Sequence, residues 1–270
     1  MQTPMSSPLR IAWLTTGRGE GSYGALEHML RAIDSGLPVE IAVVFVNRDP
    51  GEAEPTDRLM AMVRDRGIPL ETLSSVRFRK ERGGKLSKPG EPLPPWRTEF
   101  DSAVAEKLAR YEFDLGVMFG YMLIATEPLY GRFRFINDHP ALPNGPIGTW
   151  QEVIRELMDK GVTESGCTMN LVTGDVDRGP VVSFCRYPIR DDATAALWRD
   201  FGEEPPEERQ AYDDTPLFKE IRRRGLLRER PLLVETLRAI AEKRLDVPPA
   251  RPLDLTGEVE RAVAGAARQP

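Results

Sequence analysis

Cysteine and histidine are scarce in this chain, with two of each among 270 residues. Cys167 and Cys185 cannot build a disulfide scaffold, and with only two histidines they are a thin donor set that argues against structural zinc. Long apolar runs are also missing. The longest, residues 41–46, is far short of the about 20 residues a membrane-spanning helix needs. Positive charge is not in excess: 37 Lys+Arg stand against 42 Asp+Glu, a formal net charge of −5. That removes the global electrostatic signature of a dedicated nucleic-acid binder. The first nine residues lack the charged-then-apolar layout of a secretory leader. What is present, 40 % hydrophobic and 29 % charged residues, is the balance of a globular chain rather than a disordered one. These features predict a soluble cytoplasmic enzyme without metal or membrane partner, as a monomer or homodimer, with chain enough for one large core or two small ones.

Short apolar, β-rich runs alternate with helical patterns through the first half, which predicts a parallel sheet with crossover helices. Strands are expected at 10–16, 39–47, 68–73, 114–119 and 133–137, then at 167–172 and 181–187. Helices are expected at 23–35, where Leu26, Met29, Leu30 and Ile33 share a face, and at 56–66, 96–110, 150–160 and 217–245. The second strand is almost continuously apolar, as a strand covered on both faces should be. The fold class is therefore α/β, a doubly wound, mostly parallel twisted sheet. Residues 1–190 are assigned to a catalytic domain, and 191–270 to an acidic linker and a C-terminal helical extension packed on it.

Two stretches interrupt the rhythm. Residues 76–95 carry six basic residues (Arg77, Arg79, Lys80, Arg82, Lys85, Lys88), four prolines and three glycines. They read as a mobile loop, either a solvated insertion or an anion-binding lid. Residues 200–214 are acidic and contain proline, which reads as a solvated linker. The tail after Val247 is expected to be loosely ordered.

Three motifs could carry chemistry. The first strand runs into Gly17-Arg18-Gly19-Glu20-Gly21-Ser22, and a helix follows. Glycines let the backbone approach a ligand, and a helix N-terminus favours an anion. The spacing is neither the dinucleotide fingerprint nor a P-loop, so a plain strand–helix turn remains an equal reading. The second motif, Asn137-Asp138-His139-Pro140, ends a strand. Residues two apart on a strand point the same way, so Asn137 and His139 would offer an amide and an imidazole donor to one developing oxyanion. The alternative is a structural histidine. The third, Thr173-Gly174-Asp175-Val176-Asp177-Arg178-Gly179-Pro180, is an acidic turn between strands. Its carboxylates serve either local turn bonding or as a partner that favours charged His139 and fixes its orientation.

In order and approximate spacing, these motifs resemble the folate-dependent formyltransferases, and within them the branch acting on glycinamide ribonucleotide, across about residues 10–189. The resemblance implies transfer of a formyl group from 10-formyltetrahydrofolate to that primary amine, a step of purine synthesis. It implies that Asn137 and protonated His139 stabilise the oxyanion, while Asp177 holds His139 and relays a proton through water. Formyl-folate would lie against Arg97, Met122, Leu123 and Ile124, with Thr173, Gly174, Asp175 and Val176 wrapping its pterin. Gly17, Gly19, Gly21 and Ser22 would take the acceptor's phosphate.

The sequence departs from that family at several points. Leu123 stands where the family has arginine, the glycine turn is about two residues longer, and residues 76–95 are an insertion. The family's amine-binding glutamate falls at Leu226, with Glu220 and Glu229 nearby as substitutes. The rival readings are methionyl-tRNA formylation, formylation of an amino-sugar nucleotide, formyl-folate hydrolysis, and a non-catalytic nucleotide- or folate-binding module.

Overall fold

The computed structural model describes residues 7–87, 91–203 and 205–266; Lys88, Pro89, Gly90 and Glu204 of the two interrupting stretches lie outside the described residues. The chain forms two compact units. One is built from the described parts of Met1–Asn137 and Leu171–Gly179, the other from those of Asp138–Asn170 and Pro180–Pro270.

The first unit contains β1 (Leu9–Thr15), β2 (Val39–Val46), β3 (Leu70–Thr72), β4 (Leu115–Met118) and the start of β5 (Phe135–His139). Their order is β3-β2-β1-β4-β5, and every neighbouring pair is parallel. Helices α1 (Glu20–Asp34) and α2 (Glu54–Asp65) make the first two crossovers; α3 (Ser75–Glu81) and α4 (Trp96–Leu108) make the third, and α5 (Glu127–Tyr130) the fourth. Strands are added in one direction up to β3 and in the other from β4 onward. Right-handed crossovers therefore put α1 and α2 on one face, and α4 and α5 on the other.

Packing follows from this. Ala12 and Leu14 of β1 and Val43 and Phe45 of β2 join Phe100, Val104 and Leu108 of α4 and Leu129 of α5 in one cluster. Trp13, Val44 and Val46 alternate with them along the strands and are equally buried. Burial on both faces is why β2 carries no polar alternation. Gly116 pairs with Phe135 across β4 and β5, and a Cβ at Gly116 would run into the Phe135 ring.

In the second unit, α6 (Trp150–Asp159) precedes β6 (Glu164–Leu171), which pairs antiparallel with β7 (Val181–Pro188). Then come α7 (Ala195–Glu203), a 3-10 helix (Arg209–Asp214), α8 (Pro216–Ala241), β8 (Leu253–Asp254) and α9 (Thr256–Ala266). A capping box opens α6: Thr149 N–H donates to Glu152 Oε2 at 2.7 Å, and Glu152 N–H donates to Thr149 Oγ1 at 3.4 Å. Leu217, Phe218, Ile221, Leu232, Leu233 and Leu237 give α8 its buried side.

The strands and the principal helices lie where the periodicity puts them, but three readings need correction. Residues 75–81 are not a mobile loop. Ser74 caps α3 by accepting the Arg77 N–H at 3.1 Å, and Phe78 is buried edge-on against Phe100 with ring centroids 5.2 Å apart. Residues 200–214 are not a solvated linker. They include the end of α7 and the 3-10 helix, and Asp213 accepts two bonds from Arg155 at 2.8 and 2.6 Å. The described part of the tail, 248–266, is ordered as well: β8 pairs in parallel with β7, and Leu255 and Val259 are buried.

Candidate active site

In the first unit the strand order reverses between β1 and β4. Ligands of doubly wound sheets bind beyond the carboxyl ends of the strands at such a reversal. Two loops emerge there. In the loop after β1, Gly17 has φ +68°, a left-handed conformation that a side chain resists. Its N–H donates to Thr15 Oγ1 at 3.2 Å, and its carbonyl accepts from Thr56 Oγ1 at 3.1 Å. Gly19 precedes α1 and brings no side-chain cap. Open space surrounds Gly19 and Gly21 on the side a Cβ would take. The helix starts at Glu20, so Gly21 and Ser22 belong to its first turn rather than to the preceding turn.

The loop after β4 is bound to the loop after β1. Thr16 N–H donates to the Gly120 carbonyl at 3.0 Å, and Met122 N–H donates to Thr16 Oγ1 at 2.9 Å. Gly120, at φ +65°, lies so close to Ser22 that a Cβ would collide with the Ser22 hydroxyl. Leu123 packs on the apolar cluster. Met122 and Ile124 instead expose 65 % and 43 % of their surface, unusual for large apolar side chains.

Arg97 meets this segment from beneath. It is 1 % exposed, and its Nη2 donates to the Ile124 carbonyl at 2.5 Å. Asp101, one turn further along α4, is fully buried and accepts from Thr126 N–H at 2.6 Å and Thr126 Oγ1 at 2.8 Å. Burial pushes the Asp101 carboxyl above its ordinary range, and the Arg97 guanidinium opposes that shift. Burial also raises the Tyr121 hydroxyl, with the Asp101 charge adding to the effect.

The turn after β6 also belongs to the first unit. Val172 N–H donates to the Phe135 carbonyl at 2.8 Å, docking the turn on β5. Thr173 Oγ1 accepts the Asp175 N–H at 3.3 Å, and Val176 is largely exposed. Asp177 has φ +54°, a conformation that aspartate tolerates better than most residues. Its Oδ1 accepts from Asn137 Nδ2 at 3.4 Å, so the structure brings together two of the three residues singled out for catalysis.

His139 closes β5 and belongs to the second unit. It is buried, with Nε2 at 2.8 Å from the Pro146 carbonyl. A carbonyl only accepts, so Nε2 carries the proton of this bond and Nδ1 is the remaining ring nitrogen. Among the carboxylates near Leu226, Glu220 bonds both Arg223 and Arg224 and is held at about 2, while Glu229 pairs with Arg222 at 2.7 Å. Among the described residues, no group of three or more His, Cys, Asp or Glu is placed to hold a metal, and no helix is long and apolar enough to cross a membrane.

Sequence reasoning missed Thr56 and Thr16, which hold the two loops, and Asp101. The signal for Asp101 was available: it lies four residues after Arg97 on an anticipated helix, the spacing of a helical ion pair.

A family model described as formyl transferase matches residues 9–202. Phosphoribosylglycinamide formyltransferase of Mycobacterium tuberculosis (strain H37Rv) is 28 % identical over 193 residues, covering 71 % of this chain and 76 % of the relative. Among solved structures, glycinamide ribonucleotide transformylase 1 from Symbiobacterium toebii superposes with a TM-score of 0.64 at 26 % identity, covering 92 % of this chain and 93 % of that one. A formyltetrahydrofolate deformylase from Pseudomonas syringae pv. tomato shares the fold at a TM-score of 0.59 and 19 % identity, covering 89 % of this chain and 63 % of that one.

Proposed function

Because the chain belongs to the formyl transferase family, we propose that it transfers the formyl group of 10-formyltetrahydrofolate to the primary amine of glycinamide ribonucleotide. Support for the acceptor comes from the names of the Mycobacterium and Symbiobacterium relatives. The observation that carries the reading is the Asn137–Asp177 pair at the end of β5, two residues before His139.

The folate co-substrate supplies a formyl group on nitrogen, already activated for acyl transfer. The residues present fit it: Met122, Ile124 and Val176 are exposed apolar side chains suited to a flat heteroaromatic ring, and the turn that carries Val176 adds the polar backbone of Thr173, Gly174 and Asp175. Leu123 backs this surface from the apolar cluster, and Arg97 holds it through the Ile124 carbonyl.

When the neutral amine attacks the formyl carbon, negative charge develops on the formyl oxygen. Asn137 Nδ2 and the His139 imidazolium donate to that oxygen, a contribution of about 3–4 kcal/mol per well-aimed donor. Asp177 orients the Asn137 amide and, through water, takes the proton that the amine loses; as the oxyanion collapses, the bond between the formyl carbon and the folate nitrogen breaks, and that proton passes to the nitrogen to release tetrahydrofolate. The Gly17–Ser22 backbone receives the acceptor's phosphate, and Gly19 and Gly21 leave it room.

The test is steady-state kinetics with glycinamide ribonucleotide against its dephosphorylated riboside. The riboside should lose at least about tenfold in kcat/KM, or about 1.4 kcal/mol. Equal activity on both would remove the phosphate site. Activity on neither, with brisk formylation of an amino-sugar nucleotide, would transfer the assignment to that substrate.

A further inference from the structure

The Arg97–Asp101 pair is poorly built for stability. Its closest ion-pair contact, Nη2 to Oδ1, is 3.6 Å, too long for a hydrogen bond, and the two side chains are 1 % and 0 % exposed. Among the described residues, Arg97 Nη1, Asp101 Oδ1 and the Tyr121 hydroxyl are buried without a hydrogen-bond partner. Desolvating two charges is costly, and a pair with loose geometry and unfilled bonding positions does not recover the cost. Apolar residues of similar volume would serve the core as well or better.

What the pair does make is a set of short bonds to one segment. Arg97 Nη2 bonds the Ile124 carbonyl, and Asp101 Oδ2 bonds both the N–H and the hydroxyl of Thr126. These contacts flank Ala125, so they fix the backbone direction through residues 124–126 and with it the aim of the exposed Ile124 side chain. The Trp96 and Phe100 rings lie 5.0 and 5.6 Å from the Arg97 guanidinium carbon and limit its swing.

We propose that Asp101 is a positioning residue for the folate subsite: with Arg97 it clamps residues 124–126 from inside the core so that the segment presents a preformed surface to the pterin. The proposal rests on the functional reading above. Neither side chain needs to touch the ligand. Both act through the backbone they hold, and binding energy is kept that would otherwise go into ordering the loop.

The deciding variant is the apolar double replacement Arg97→Met with Asp101→Leu, which removes the clamp without leaving a buried charge. Calorimetry with tetrahydrofolate as the probe and a thermal melt separate the possible roles. The expected result is a Kd raised at least about tenfold, with Tm within about 4 °C of wild type. A Kd within about twofold of wild type would overturn the proposal. Should the double variant fail to fold, Thr126→Ala decides, because it removes one bond to Asp101 and leaves the pair in place. A rise of about threefold or more in Kd supports the clamp, and an unchanged Kd overturns it. If wild type does not bind tetrahydrofolate, the functional reading fails and this inference with it. If wild type binds and the variants bind equally well, only this inference fails.

Discussion

Arg97 on α4 and Arg224 on α8 face the same kind of partner in opposite surroundings. Arg97 is sealed in the core with Asp101, 3.6 Å away and incompletely bonded. Arg224, in the second unit, keeps 11 % of its side chain exposed and is well served. It reaches Asp191 and the Pro188 carbonyl at 2.6 and 2.8 Å, and Glu220 at 2.8 Å, while Thr194 adds a bond to Asp191. The electrostatic consequences diverge. Bonds from Arg224 hold the Asp191 carboxyl below its ordinary value, and Arg223 and Arg224 hold Glu220 at about 2. Asp101 is pushed the other way by burial. The satisfied network strengthens the fold locally; the unsatisfied pair takes stability from the fold and fixes the backbone of residues 124–126.

Truncation should separate the two most sharply. Arg97→Ala leaves Asp101 buried without its cationic partner, and should cost about 3–5 kcal/mol in urea unfolding. Arg224→Ala leaves Asp191 and Glu220 with water and other partners, and should cost about 1 kcal/mol. Equal losses would erase the distinction.

Acid sharpens the comparison with a smaller effect. The Glu220 carboxyl is depressed in the folded chain, so its contribution is fully present above its ordinary value of 4.5 and is lost as pH falls toward about 2. Asp101 is raised, so stability is gained instead as pH falls through its raised folded value, and the gain is complete below its ordinary 3.8. Tm measured from pH 5 downward should therefore fall less steeply for Glu220→Gln than for wild type. Parallel curves would show that Glu220 contributes nothing there.

Much of this was legible in the sequence because it rests on local pattern. Residues 41–46 announce a doubly covered strand, and the anticipated helix at 96–110 lies within two residues of α4 at its end. The parts that were misread depend on partners distant in sequence. β8 has two residues, too short for any periodicity, and exists because β7 offers Ser183 and Phe184 as neighbours. The basic composition of 76–95 hid Phe78, which packs α3 against Phe100. At the site, the motifs indicated Asn137, His139 and Asp177 as side chains. The sequence did not reveal that Thr16 ties two loops together, or that Asp101 reaches Thr126, because those bonds span 106 and 25 residues.

The central claim is that the end of β5 carries out the transfer, and its most direct test is the turnover of His139→Ala, followed as tetrahydrofolate release from 10-formyltetrahydrofolate in the presence of glycinamide ribonucleotide. The account predicts a fall of about a hundredfold or more, with tetrahydrofolate binding retained. A variant that keeps more than about a tenth of wild-type turnover, a loss of less than about 1.4 kcal/mol, would contradict it.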